Sequence, residues 1–276
     1  MAVISSIQLD HTEWLGKDRE TIAGEKAGIF RAHRPVVCAD RDPPQALRRV
    51  ARTLEAPWFG IGEQFDSERR AGGEWYWRGT DRAGRVLEFG GLPPPQLLDG
   101  NVAAALQAML LCGIDLDRAM LECELPSIAA PGRFQKRCVR GIECVLDVAH
   151  NPAATDVLAA RLAKETEVRR TAMVFAAMRD KDIDAMLAPL AGCATVWFLP
   201  QLDAARAASA SAVAQRLEAL AGKVSVQCCA DVGAAMHNAL AMLQRGDRLV
   251  VCGSFHTVGP ALEWLDKQAG GNGDRF

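Results

Sequence analysis

The sequence predicts an α/β protein in two parts: a mixed segment over residues 1–130 and a second domain over residues 133–276. Three observations carry this. Beyond Pro131-Gly132, strand-length and helix-length apolar runs strictly alternate. That alternation is the mark of a Rossmann-like domain, a mostly parallel sheet covered by helices on both faces. Before that point, residues 58–92 hold alternating segments (GEWYWRG, RVLEFGG) broken by Gly-rich turns, which read as antiparallel strands. Finally, 276 residues with 49% hydrophobic and 24% charged side chains suffice for two globular cores.

Each element follows from its local pattern. Residues 2–7 are an apolar run read as a buried strand. The DHTEWLG stretch then turns, and Asp18 is placed to cap a helix over residues 19–30. A short strand follows at 35–39, then a helix over 44–55 with basic residues on one face. The prolines at 93–95 end the antiparallel stretch. An Ala/Leu-rich helix is expected at 101–112, with Asn101 at its start, and another at 115–123. In the second domain, strands are expected at 144–148, 171–176, 195–199, 224–228 and 248–252. Helices are expected near 153–165, 182–190, 209–221, 231–244 and 257–268. LDVAHNP (146–152) and VVCGSFHTVG (250–259) fall at strand carboxyl ends, where ligands approach such sheets.

Bulk properties narrow the function classes. A net charge of −2 gives no reason to expect nucleic acid or an anionic membrane as partner. The nine Cys show no C-x-x-C pair and no zinc spacing, which suits a reducing cytoplasm. Residues 1–15 lack a basic n-region and cleavage site, so no signal peptide is expected, and no apolar run has membrane-spanning length.

Several residues could carry chemistry. Lys26 shares a predicted helix face with Ile22, Ile29 and Phe30. A buried ammonium there must snorkel out, pair with a carboxylate such as Glu25, lose its proton or be modified. One modification is a CO₂-derived carbamate, an anion able to hold Mg²⁺. His11, at the end of the first strand, is either a turn histidine or a ligand delivered to a phosphate site. Asn101 reads as a helix cap. Arg133, in PGRF at the inferred domain junction, is either a solvated linker residue or a bidentate phosphate ligand. Asp147, His150 and Asn151 form the densest polar cluster, just before Pro152 at a helix N1 position. A helix N-terminus favours anions, Asp suits ribose hydroxyls, and His suits a phosphate or acyl oxygen. Asp180, Lys181 and Asp182 form a charged loop with at most a minor role. Ser254 and His256 follow Gly253 at the last strand end, either as a plain turn or as a pocket for a carboxylate.

Taken together, LDHTEWLG (9–16), GEKAGIF (24–30), PGRF (131–134), LDVAHNP and CGSFHTV resemble, in this order, the bifunctional folylpolyglutamate synthase / dihydrofolate synthase family of Mur-type ligases. The resemblance spans residue 6 to about residue 258. It implies that residues 1–130 are part of an ATP/Mg-binding domain and residues 133–276 a Mur-ligase C-terminal domain. It further implies an ATP-dependent reaction in which a pteroate or folate carboxylate becomes an acyl phosphate and the amine of L-glutamate attacks it. By motif match, His11 is a Mg²⁺ ligand and Lys26 the carbamylated lysine that helps hold a second metal. Asn101 contacts the nucleotide base, Arg133 its phosphates and Asp147 its ribose, with Asn151 beside them. His150 lies near the transferred phosphate and Ser254 near the incoming glutamate. Lys26 and His150 are thereby the catalytic pair. Family members are usually monomers.

The departure from the family is one of extent. No G-x-x-x-x-G-K-[ST] phosphate loop occurs in the chain, whereas the family's loop and a metal-binding Glu precede the DHT motif. The expectation is a back half whose nucleotide-gripping front half is absent. Such a chain would be inactive alone, with the edge of strand 2–7 left open to water, residues 1–130 poorly stable and 133–276 able to fold. The alternatives are a mis-started gene, a different Mur-type ligase for a peptidoglycan or related amino-acid substrate, and a non-catalytic remnant or split half needing an N-terminal partner.

Overall fold

The computed structural model describes residues 1–9, 16–165, 168–222 and 224–271. The chain forms two compact units, Met1–Ala129 and Ala130–Phe276. Among the described residues no helix is long and apolar enough to cross a membrane.

In the first unit, β1 (Ala2–Ile4), β2 (Val36–Cys38) and β3 (Trp58–Gly60) form a three-stranded parallel sheet in the order β1-β2-β3. Two helices, α1 (Arg19–Lys26) and α2 (Gln45–Thr53), pack with it around Ile4, Ile22, Ala23, Val36 and Leu47. Asp18 caps α1 by accepting from the Thr21 amide, as its position predicts. β1 is the edge strand among the described residues, so its outer edge meets water as expected, and Val3 is 45% exposed. Residues 58–60 also depart from expectation. They pair parallel with β2, Val36 opposite Trp58, and only β4 (Asp66–Arg69), β5 (Trp75–Thr80) and β6 (Val86–Leu92) form the antiparallel sheet. Local alternation cannot distinguish a parallel from an antiparallel partner. Helices α3 (Asp99–Leu111) and α4 (Arg118–Glu124) share a core with the antiparallel sheet around Trp75, Trp77, Leu106 and Leu121. Burying one such tryptophan contributes about 3 kcal/mol.

The second unit holds a six-stranded sheet ordered β11-β10-β9-β12-β8-β7. Its strands are β7 (Gln135–Val139), β8 (Ile142–Asp147), β9 (Thr171–Phe175), β10 (Val196–Pro200), β11 (Ser225–Cys229) and β12 (Arg248–Cys252). All neighbours are parallel except β7, which returns antiparallel onto β8. β7 (QKRCV) is an addition to the expected strands, since its polar residues form no apolar run. Arg140 (φ 53°) and Gly141 (φ 77°) make the tight turn between the two strands, both in the left-handed region that a two-residue hairpin requires.

Helices α5 (Pro152–Ala163), α6 (Ile183–Leu190) and α7 (Ala210–Ala221) cover one face of the sheet, burying Leu158, Leu187 and Leu217. Helices α8 (Val232–Met242) and α9 (Phe255–Gly271) cover the other, burying Met236, Val258 and Leu265. The expected α/β architecture with a mostly parallel sheet is therefore present. Cys144 and Cys252 lie fully buried on its strands. Burial pushes the Cys144 thiol up to about 12 and the Cys252 thiol well above its ordinary value, so both behave as small hydrophobes.

Candidate active site

Strand register builds the site. β8 and β12 are adjacent, and Asp147 stands level with Cys252. The segments that leave them, 148–152 and 253–257, therefore emerge side by side. Their following helices, α5 and α9, go to opposite faces of the sheet. This is the arrangement that opens a crevice at strand carboxyl ends.

The PGRF segment is tied to the same place. The Val148 amide donates to the Gly132 carbonyl at 2.8 Å, and the Phe134 amide donates to Asp147 Oδ2 at 2.9 Å. Gly132 is left-handed (φ 65°), and a Cβ there would lie 2.9 Å from Val148 Cγ1. Phe134, with φ 46°, is one of few non-glycine residues in that region, held by burial and by Arg161 stacked 3.8 Å above its ring. Asp147 Oδ1 accepts the Ala149 amide at 2.9 Å. Burial pushes the Asp147 carboxyl above its ordinary value, against the two amide hydrogen bonds and the charges of Arg133 and Arg161. Both of its oxygens thus hold backbone in place while each keeps a further lone pair.

His150 Nδ1 lies 2.9 Å from the Val148 carbonyl, which fixes the ring. Asn151 caps α5, its Oδ1 accepting the Ala154 amide, and Pro152 takes the N1 position as predicted. Ser254 is buried, and its Oγ accepts the His256 amide at 3.0 Å. Gly253 (φ 100°) is required here, since a Cβ would lie 2.5 Å from the Ala176 carbonyl oxygen. Thr257 Oγ1 donates to that same carbonyl at 3.2 Å. Arg133 is exposed, its guanidinium 5.4 Å from the centre of the Phe255 ring, and the His150 ring centre is 5.7 Å from that ring. Thus Arg133, Asp147, His150, Asn151 and Ser254 come together. Beside them, a cavity of about 530 Å³ opens at the ends of β10 and β11, lined by Gln201, Asp203, Asp231 and His256 among others. In the 180–182 loop, Asp180 lies 3.6 Å from Arg206 and Asp182 caps α6.

The first unit corrects two readings. Lys26 does not sit in an apolar stripe. The helix ends at Lys26 and tightens into a 3₁₀ turn over Ala27–Ile29, which breaks the i, i+4, i+7 face, so Lys26 is exposed and Ile29 is 51% exposed. Asn101 is not a cap. The helix starts two residues earlier at Asp99 with Leu98 as N-cap, and Asn101 lies exposed in the first turn. His11 lies outside the described residues. Phe255 and Phe134 lie inside the CGSFHTV and PGRF motifs, and nothing in the local sequence sets them apart. Their contacts with Arg133, His150 and Arg161 are tertiary, and no local spacing signals them.

Residues 132–255 match the family described as Mur ligase, glutamate ligase domain. The chain is 34% identical over 275 residues to a dihydrofolate synthase/folylpolyglutamate synthase of Escherichia coli (strain K12), covering 98% of this chain and 61% of that protein. Among solved structures, Escherichia coli FolC in complex with DHPP and ADP superposes with a TM-score of 0.86 at 31% identity, covering 97% of this chain and 61% of that one. A Yersinia pestis bifunctional folylpolyglutamate synthase/dihydrofolate synthase complexed with AMPPNP and Mn ion gives 0.83 at 35% identity, covering 96% and 61%. The crevice at the strand ends and these likenesses define the class: residues 132–255 form a Mur-ligase glutamate ligase domain. Within that class the chain is a homologue of the dihydrofolate synthase/folylpolyglutamate synthases. It spans about 61% of the length of the first curated relatives that it matches.

Proposed function

We propose that this chain is part of an ATP-dependent ligase that joins L-glutamate to dihydropteroate, to folate or tetrahydrofolate, or to both classes, through an acyl phosphate. The terminal phosphoryl group of ATP passes to the substrate carboxylate and ADP leaves. The glutamate nitrogen then bonds to the acyl carbon, phosphate departs with the electrons of the acyl–oxygen bond, and the nitrogen sheds its proton. A carboxylate is a poor electrophile, so cationic groups must offset the charge that accumulates. The observation that carries the reading is the Asp147–Cys252 register, which brings LDVAHNP and CGSFHTV into one crevice.

In this reading residues 133–276 act as the C-terminal domain and residues 1–130 as part of the ATP-binding domain. Arg133 takes nucleotide phosphates, Asp147 the ribose through its remaining lone pairs, and Asn101 the base. His150 and Asn151 stand at the transferred phosphate, and Ser254 receives glutamate. His11 and a carbamylated Lys26 would be ligands for Mg²⁺. Among the described residues no three His, Cys, Asp or Glu side chains are grouped to hold a metal ion, and Lys26 as an ammonium would repel one. The described residues therefore do not fit a metal centre by themselves. The chain alone is inactive in this reading and acts with a further segment carrying the phosphate loop, as a monomer in the cytoplasm.

The test is a chimaera that joins this chain to the remaining part of the Escherichia coli relative. It should form ADP and glutamylated product only when glutamate is present, while the 276-residue chain alone should not. Arg133→Ala should cost the chimaera at least about tenfold in kcat/KM, the scale of a charge-assisted hydrogen bond. A folded chimaera without glutamate-dependent turnover, or one indifferent to Arg133→Ala, would sink the proposal.

A further inference from the structure

Phe255 is a large apolar side chain left 56% exposed at the rim of the crevice, and core packing does not account for it. Its backbone is nevertheless closely fixed. Gly253 abuts the Ala176 carbonyl, Ser254 Oγ accepts the His256 amide, Thr257 bonds Ala176, and Val258 is buried. The ring so placed meets two other crevice residues. The Arg133 guanidinium carbon lies 5.4 Å from its centre, within cation–π range. The His150 ring centre lies 5.7 Å away at an interplanar angle of 44°, a tilted aromatic pair. Arg133 and His150 come from segments separated by β7 and β8, and Phe255 opens α9 just beyond β12. The three converge only through the fold.

We propose that Phe255 is a positioning residue for phosphate recognition: its ring holds the Arg133 guanidinium and the His150 imidazole so that both address one anionic oxygen cluster. This rests on the reading of Arg133 and His150 as phosphate-facing groups. An arginine on an exposed segment samples many rotamers, and a neighbouring ring reduces that freedom before the ligand arrives. An exposed aromatic suits the task, because a ring face attracts a cation without neutralising it.

The experiment is an NMR titration of the full 276-residue chain with tripolyphosphate, following the Arg133 Nε–Hε and His150 ring resonances. In the wild type both sets should move on one shared curve. Phe255→Leu should weaken binding by about two- to fivefold, the scale of one exposed cation–π contact. It should also remove the ring-current shift of Arg133 in the free protein, and Phe255→Tyr should restore both. Backbone amide spectra that are unchanged outside the crevice would show that the variants are folded. Undiminished affinity and an unmoved Arg133 resonance in Phe255→Leu would overturn the positioning role while leaving the phosphate reading intact. A wild type in which neither residue responds to tripolyphosphate would overturn both.

Discussion

Gly253 is the residue on which the crevice depends most directly. It leaves β12 with φ 100°, against the Ala176 carbonyl and the Phe175 ring. Any Cβ must push the chain away from β9 and carry Ser254, Phe255 and His256 with it. Gly253→Ala is therefore expected to cost about 3 kcal/mol, combining left-handed strain with overpacking, read as a shift of the urea unfolding midpoint. Asp147 shows a second residue-level lesson. Its side chain is first a clamp for Phe134 and Ala149, so any ligand contact must share a carboxylate already fixed by two amides. Its sequence context marked it as polar and at a strand end. The partner 13 residues earlier was not legible, because the hairpin between them was not.

At the scale of elements, the sheet's two ends are built differently. The carboxyl ends carry the crevice. At the amino ends of β8 and β12, Arg248 is buried and bonds Glu143 and Glu165, each at 2.6 Å. Lys136 on β7 closes the ring to Glu165 at 2.6 Å and to Glu143 at 3.1 Å. This network fastens the antiparallel edge strand and the end of α5 to the central strands. Burial alone would push the Glu143 carboxyl up, but the hydrogen bonds and charges of Arg248 and Lys136 outweigh it and hold the carboxyl below its ordinary value. A lowered folded-state value stabilises the fold above the ordinary Glu pKa, and that stability is lost as pH falls through the folded value. Arg248→Ala should therefore cost about 3 kcal/mol at neutral pH, the low end for a broken buried pair because both glutamates are partly exposed. The cost should shrink as pH falls below the ordinary Glu range and through the lowered folded-state value of Glu143, where the carboxyl loses its charge. A cost that stays constant between pH 7 and pH 3 would count against this account.

Across the whole molecule, the two units differ in how their sheets are built. The second has six strands, five of them parallel and covered by helices on both faces. The first has a parallel sheet of three strands with three residues each, whose edge strand β1 leaves Val3 45% exposed. Short strands with an open edge protect few amides cooperatively. Hydrogen exchange should therefore find the slowest amides in β8, β9 and β12 and markedly faster exchange in β1 to β3. Equal protection in both sets would contradict this.

The sequence by itself determined most element types, the alternation of the second unit, the cap at Asp18, Pro152 at a helix N1 position, and the motifs that mark the ligase class. These follow from periodicity, cap chemistry and residue order, which are local properties of a chain. Only the tertiary structure decided that Lys26 faces solvent, that Asn101 lies inside its helix, that residues 58–60 pair parallel with β2, and that β7 folds back onto β8. It also decided that Phe255 stands beside Arg133 and His150. Strand register and ring stacking join segments distant along the chain, and their energies depend on positions that no local pattern encodes.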